Sequence, residues 1–308
     1  MTPPPVRPYL WMLTGSVCFS AMVLLIRAAA DRQACDWQVQ GVVRSLVAFG
    51  FALPAALVTG GRLAVLRPPM LWVRGLAGSA SMVATFYALA RLPASEVLTL
   101  TNTFPVWVAV VVSLTGGERL TPGVWAAVLL AVAGVAVAQG AGVHGFGLPA
   151  GMALLAAGFT AVAMLGLNRI HGVSSLGIVA HFSAVAALTC LLAWWVFPRT
   201  TGNGGLWEPE NAGLVLAVGV TAVAGQLCLT KAFRTGPATR VSVVSLTQVV
   251  WTMGFEAAAG WRQFTPGTLA GTALVLLPVG WLMTRRKPQP PPAPAEPDEV
   301  VEQPVAVE

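Results

Sequence analysis

The sequence predicts an all-α polytopic membrane protein: ten transmembrane helices arranged as two inverted five-helix repeats. Three observations predict it. Apolar residues make up 56% of the 308-residue chain and charged residues only 10%, whereas a soluble domain carries roughly 25% charge. So few charges cannot cover a water-facing surface. Apolar runs of about twenty residues recur throughout, and at 1.5 Å rise each crosses a bilayer core of about 30 Å. Finally, residues 88–135, shifted by 144 positions, fall without a gap on residues 232–279, with 14 of 48 positions identical. Pro93/Pro237, Thr103/Thr247, Trp107/Trp251, Gly116/Gly260 and Thr121-Pro122-Gly123/Thr265-Pro266-Gly267 coincide in that one register. Such a repeat sets the architecture before any single element does.

The ten segments are expected near 9–28, 38–58, 70–90, 95–115, 122–140, 147–168, 176–197, 211–232, 238–259 and 265–284. The first has little positive charge before it and no small-residue cleavage site, so it reads as a retained helix. The second holds Arg44 inside GVVRSLVAFGFALPAALV. Segments four and nine are repeat mates, and Pro105 in the fourth removes one backbone hydrogen bond, which predicts a kink or hinge. Segments five and ten open on Thr-Pro, an N-cap followed by N1. The sixth echoes the first: Ala21-Met22 and Leu25-x-Arg27 precede Ala163-Met164 and Leu167-x-Arg169 by 142 residues. Gly15, Gly75, Gly78, Gly134, Gly158 and Gly225 read as close helix contacts. Cys18, Cys35, Cys190 and Cys228 form no CxxC pair, so neither a disulfide framework nor a zinc site is suggested.

Five helices per half is an odd number, so the second half enters from the opposite side. The expected organisation is a cytoplasmic N-terminus at 1–8, a first repeat at 9–140 and a second at 147–284. Residues 285–308 form a Pro-rich acidic cytoplasmic tail, disordered because its composition cannot bury a core. Lys and Arg in loops and at helix ends, Arg74 counted among them, divide twelve against five in favour of both termini inside. An integral protein of the plasma (inner) membrane follows. Residues 1–287 hold 18 basic and seven acidic residues. The bases are dispersed over short loops, which fits membrane orientation and not nucleic acid.

The stretch FYALARLPASEVLTLTNTFPVWVAVVVSLTGGERLTPGVWAAVLLAVAGV, its echo near the C-terminus, and the helix-2 pattern ending in Arg44 resemble the EamA-type branch of the drug/metabolite transporter superfamily. The resemblance implies a ten-helix, inverted-repeat carrier of small metabolites such as amino acids, nucleosides and related compounds. One departure stands out. The family often has Glu at the end of helices 4 and 9; here the first is Glu118, but its repeat mate is Arg262, and Glu256 lies six residues earlier.

Candidate substrate-binding residues are Arg44, Tyr87, Asn102, Thr103, Trp107, Gln226, Thr247, Gln248 and Trp251. Two roles fit Arg44: attracting a substrate carboxylate or phosphate, or reaching an interface or helix end. Asn102, Thr103, Thr247 and Gln248 are polar groups that either bind a polar substrate or join helices. Trp107 and Trp251 either stack on cargo or pack. Glu256 ends the stripe Ser242, Ser245, Val249, Thr252 and either couples protons or pairs with Arg262. His181 is a second candidate for proton coupling, or a satisfied structural residue, and Pro105 is the candidate hinge.

No HExxH, GxSxG or P-loop motif occurs, so the chain is expected not to be an enzyme and to need no cofactor or metal. The preferred reading is a gradient-driven transporter of small polar metabolites working by alternating access, an exporter, with a small molecule and the lipid bilayer as partners. The oligomeric state stays open, a monomer included. A passive channel or facilitator, and an intramembrane enzyme, are the alternatives.

Overall fold

A computed structural model describes residues 6–32, 36–63, 66, 68–89, 91–92, 94–115, 120–140, 147–197 and 208–284. Glu118, Cys35 and the tail at 285–308 lie outside the described residues. In chain order the helices are α1 (Arg7–Asp31), α2 (Trp37–Val58), α3 (Pro69–Leu89), α4 (Ala94–Thr101), α5 (Phe104–Leu114), α6 (Pro122–Gln139), α7 (Leu148–Leu167), α8 (Ser175–Val196), α9 (Pro209–Thr235), α10 (Ala238–Ser245), α11 (Thr247–Ala258) and α12 (Pro266–Thr284). The described residues contain no strand. Counting α4 with α5 and α10 with α11 as single spans, nine units among the described residues are long and apolar enough to cross a membrane. The remaining one, α3, is a full 21 residues long but carries Arg74 and four polar or small residues in the run Gly78-Ser79-Ala80-Ser81.

The caps follow the local chemistry. Thr265 Oγ1 accepts from Thr268 N at 3.2 Å, ahead of Pro266, and Ser174 Oγ accepts from Gly177 N at 3.0 Å. Thr121 has the same extended backbone before Pro122, but its side chain makes no cap bond. Gly140 ends α6 in the left-handed region at φ 59°, where a residue without Cβ is favoured.

The fourth and ninth spans are not continuous, unlike the single runs expected. They break at equivalent places, Asn102–Thr103 and Leu246. At each break the hydrogen bonds tighten from i→i−4 to i→i−3: Thr103 N to Leu100 O at 3.2 Å and Val106 N to Thr103 O at 2.9 Å, against Leu246 N to Val243 O at 3.1 Å and Val249 N to Leu246 O at 3.0 Å. Pro105 accounts for the first break, since it has no N–H to offer Thr101 O. The second has Val249 in that position, so the break survives without a proline. There the Ser245 carbonyl, freed when Val249 N turns to Leu246, accepts from Ser16 Oγ of α1 at 3.5 Å. One turn on, Ser20 Oγ donates to Gln248 O at 2.8 Å. Within a bilayer such carbonyls need partners from the protein itself.

The two halves pack reciprocally. α1 lies on α9, and its repeat mate α7 lies on α3, the mate of α9. α2 against α9 is matched by α8 against α3, and α1 against α10 and α11 by α7 against α4 and α5. α2 with α8, and α6 with α12, are each a pair of mates in contact. This is the pattern of a pseudo-two-fold relating inverted halves.

Small residues allow the closest of these approaches. A Cβ on Gly271 of α12 would stand 2.3 Å from Ala138 N, and one on Gly134 of α6 would stand 2.9 Å from Gly271 O. Gly15, Gly75, Gly78 and Gly225 also face neighbours closely. Gly158 does not: nothing lies within 4 Å of its would-be Cβ.

Candidate functional site

The polar interior is built where α3, α8 and α9 meet. Arg74 of α3 is 2% exposed. Sequence position suggested an orienting charge near a helix end; the structure instead buries it inside the bundle. Its Nη2 donates to Gln226 Oε1 of α9 at 3.2 Å, and its guanidinium lies over the Phe182 ring of α8 at 4.3 Å. Nε and Nη1 have no hydrogen-bond partner among the described residues. Gly78, one turn on, leaves the room: a Cβ there would meet Arg74 Nη1 and, at 2.9 Å, Phe182 Cε2.

His181, beside Phe182, meets the Trp72 ring edge-on at 4.9 Å and packs against Gly75. Arg44 of α2 reaches the same α3–α8 layer farther along. Its Nη1 contacts Met82 Sδ at 2.9 Å, a weak acceptor for a full charge. Met82 and Cys190, which packs on Gly41 one helical turn before Arg44, stand eight residues beyond Arg74 and Phe182 respectively. Eight residues are about 12 Å of helix. The layer therefore holds two guanidiniums roughly two turns apart.

A cleft of about 660 Å³ approaches this layer. It opens between the first turn of α3, the last turns of α5, α7 and α9, and the start of α10, with Met70, Val73, Thr115, Gly166, Arg169 and Arg234 on its walls. Arg234 Nη1 donates to Ser175 Oγ at 3.1 Å. Met70 and Gly166 also flank the stem of Arg74, so the cleft ends next to it.

The other expected site residues are scattered. Gln226 and His181 join the Arg74 layer. Asn102, Thr103, Thr247 and Pro105 sit at the two helix breaks. Asn102 Nδ2 donates to Leu98 O at 2.7 Å, Thr103 Oγ1 to Leu100 O at 2.6 Å and Thr247 Oγ1 to Val244 O at 2.8 Å, each reaching back to the helix before its break. Gln248 follows the second break and offers its carbonyl to Ser20. Tyr87 lies at the far end of α3, against Phe197 at 5.5 Å and under Arg91 at 3.7 Å. Trp107 and Trp251 are 44% and 42% exposed, and Trp107 lines an apolar surface groove of about 560 Å³ with Leu155, Gly158 and Phe159.

Glu256 ends α11 in an ion cluster. Oε1 accepts from Arg27 of α1 at 3.1 Å and Oε2 from Arg262 Nε at 3.0 Å. Arg262 also donates to Ala138 O at 3.3 Å and Gln139 Oε1 at 3.2 Å, at the end of α6. Of the two roles open to Glu256 in the sequence, the pairing is the one visible in the geometry.

Sequence reasoning missed Arg74 as a site residue. The available signal was the arginine followed by Gly75 and Gly78: the glycine four residues on vacates the helix face over which a long side chain can lie.

Comparison with known proteins fits this architecture. The model of the EamA-like transporter family matches residues 6–139 and again 148–284. The chain is 30% identical over 275 residues to the pseudopaline exporter CntI of Pseudomonas aeruginosa strains UCBPP-PA14 and PAO1, covering 85% of this chain and 91% of that protein. A solved crystal structure superposes with a TM-score of 0.75 at 21% identity, over 89% of this chain and 95% of that one, a likeness of fold. These matches make the protein an integral membrane transporter and not an enzyme. The two family matches tile both inverted halves, and the chain belongs to the EamA-like transporter family.

Proposed function

We propose that the protein is a gradient-driven exporter of a small polar metabolite, working by alternating access. The observation that carries this reading is the reciprocal packing of the two halves. The large contacts between helices have their mirrors, while α5 with α10 and α7 with α9 do not, so exchanging the roles of the two halves gives a second arrangement of similar energy, open to the other side. The breaks at Asn102–Thr103 and Leu246 supply pliable points in mates that pack on α7 and α1. A cleft on one face and the Arg27–Glu256–Arg262 cluster in α1, α11 and the turn after it fit one end open and the other held shut.

The relative named as a pseudopaline exporter makes pseudopaline the first candidate cargo. The excess of bases in the loops that follow even-numbered spans supports cytoplasmic termini and an inner-membrane location. Binding roles for Arg44 and Gln226 belong to the proposal, since both reach the polar layer; the breaks give Asn102, Thr103, Thr247 and Pro105 a hinge role.

The test is a comparison of spent medium and cell extract, by mass spectrometry, between cells that produce the protein and cells that do not. The reading expects at least one small polar metabolite enriched outside and depleted inside. Identical profiles in well-expressing cells would overturn it.

A further inference from the structure

We propose that Arg74 is the binding site for a carboxylate of the cargo, which makes the cargo a small carboxylate-bearing metabolite. The proposal rests on the exporter reading above.

An arginine carries five N–H donors and a charge that it does not lose. Here one donor goes to a neutral amide, Gln226, at 3.2 Å, while Nε and Nη1 have no partner among the described residues. Among the described residues no carboxylate pairs with Arg74 or with Arg44; Glu256 and Glu210, by contrast, each hold an arginine. A charge 2% exposed with no counter-ion is strongly disfavoured inside a bilayer. Stacking on Phe182 offsets part of that. An incoming carboxylate would offset more, because the guanidinium fork matches its two oxygens.

Two further features point the same way. The cleft between α3, α5, α7 and α9 ends beside the stem of Arg74 and has Arg169 and Arg234 on its walls. Arg44 lies about two helical turns farther along the α3–α8 layer, with only a thioether at 2.9 Å. Arginines thus stand on the walls of the cleft and at two depths beyond it. Val218 and Leu216, the residues of α9 that the two repeat registers set opposite Arg74, are apolar, so the anion site belongs to one half alone.

The test uses the full-length protein in cells, with spent-medium profiling, and purified in detergent for thermal unfolding. Four versions are compared: wild type, Arg74→Gln, Arg74→Lys and Gln226→Glu. The last places a carboxylate where an amide oxygen already meets Arg74. If Arg74 holds the cargo, Gln226→Glu raises the unfolding temperature and cuts export about tenfold or more, because the built-in anion fills the site. Arg74→Gln cuts export by a similar factor, and Arg74→Lys by less, keeping charge without the fork. The exported compound bears a carboxylate.

Export by Gln226→Glu at the wild-type level, with raised stability, would make Arg74 a structural residue and overturn the proposal. So would an exported compound without a carboxylate, phosphate esters included. Should Arg74→Gln fail to fold, Gln226→Glu and Arg74→Lys still decide. If wild type itself exports nothing, the exporter reading fails first, and that outcome is distinct from the others.

Discussion

Glu256 accepts from Arg27 at 3.1 Å, and this contact ties the first span of one repeat to the fourth span of the other. Arg262, at 3.0 Å from the same carboxylate, extends the tie to the end of α6. Arg27 is about half exposed, so its pair contributes little to stability, of order 0–1 kcal/mol. What the cluster changes is the balance between two arrangements of the bundle, where small energies move populations.

Glu256→Gln is therefore expected to leave the unfolding temperature within a few degrees of wild type. Transport should change in rate, while its dependence on an imposed pH gradient should not. The check is initial transport rate with and without that gradient. Loss of gradient dependence would instead make Glu256 a proton carrier.

Arg44→Ala is expected to abolish transport without unfolding the protein. The motive is a charge in the middle of α2 whose described contact is the Met82 thioether. Removing it relieves a desolvated cation, so folding should not suffer. Unchanged transport by a well-expressed variant would remove Arg44 from the site.

Gly271→Leu should destabilise the α6–α12 pair, because even a Cβ would stand 2.3 Å from the Ala138 backbone nitrogen. Overpacking of this kind costs about 1–3 kcal/mol or more. Gly158→Ala, with nothing within 4 Å, should be close to neutral. Thermal unfolding of the two in detergent checks the contrast.

Deletion of residues 288–308 is expected to leave transport intact. Their composition, with five acids, no base and many prolines, cannot bury a core. Loss of activity with normal membrane insertion would contradict this.

Much of the architecture is legible in the sequence because a bilayer imposes length and hydropathy on each span, and because the Trp and Pro pairs fix the repeat register. Less is legible where tertiary contacts decide. Pro105 announced one helix break; its mate at Leu246 carries no such signal, because the relief comes from Ser16 on another helix. Arg74 looks in sequence like a charge at a helix start, and only the packing of α7 and α8 on α3, with Gln226 of α9 at its tip, reveals that it is enclosed. For Trp107 the obstacle is different. A helix apolar on every side gives no indication of which face meets neighbours and which looks outward. Glu256 lay within reach, since Arg262 follows it by six residues, but the partner on α1 is 229 positions away.

The measurement that bears most directly on the exporter reading is counterflow in proteoliposomes. The purified protein is reconstituted with the metabolite identified in spent medium inside the vesicles, and labelled metabolite is added outside at trace concentration. A carrier that alternates between two faces should accumulate label transiently, in proportion to the unlabelled pool within, and should saturate. Label that only equilibrates, with flux linear in concentration and indifferent to the internal pool, would contradict alternating access and make the protein a channel.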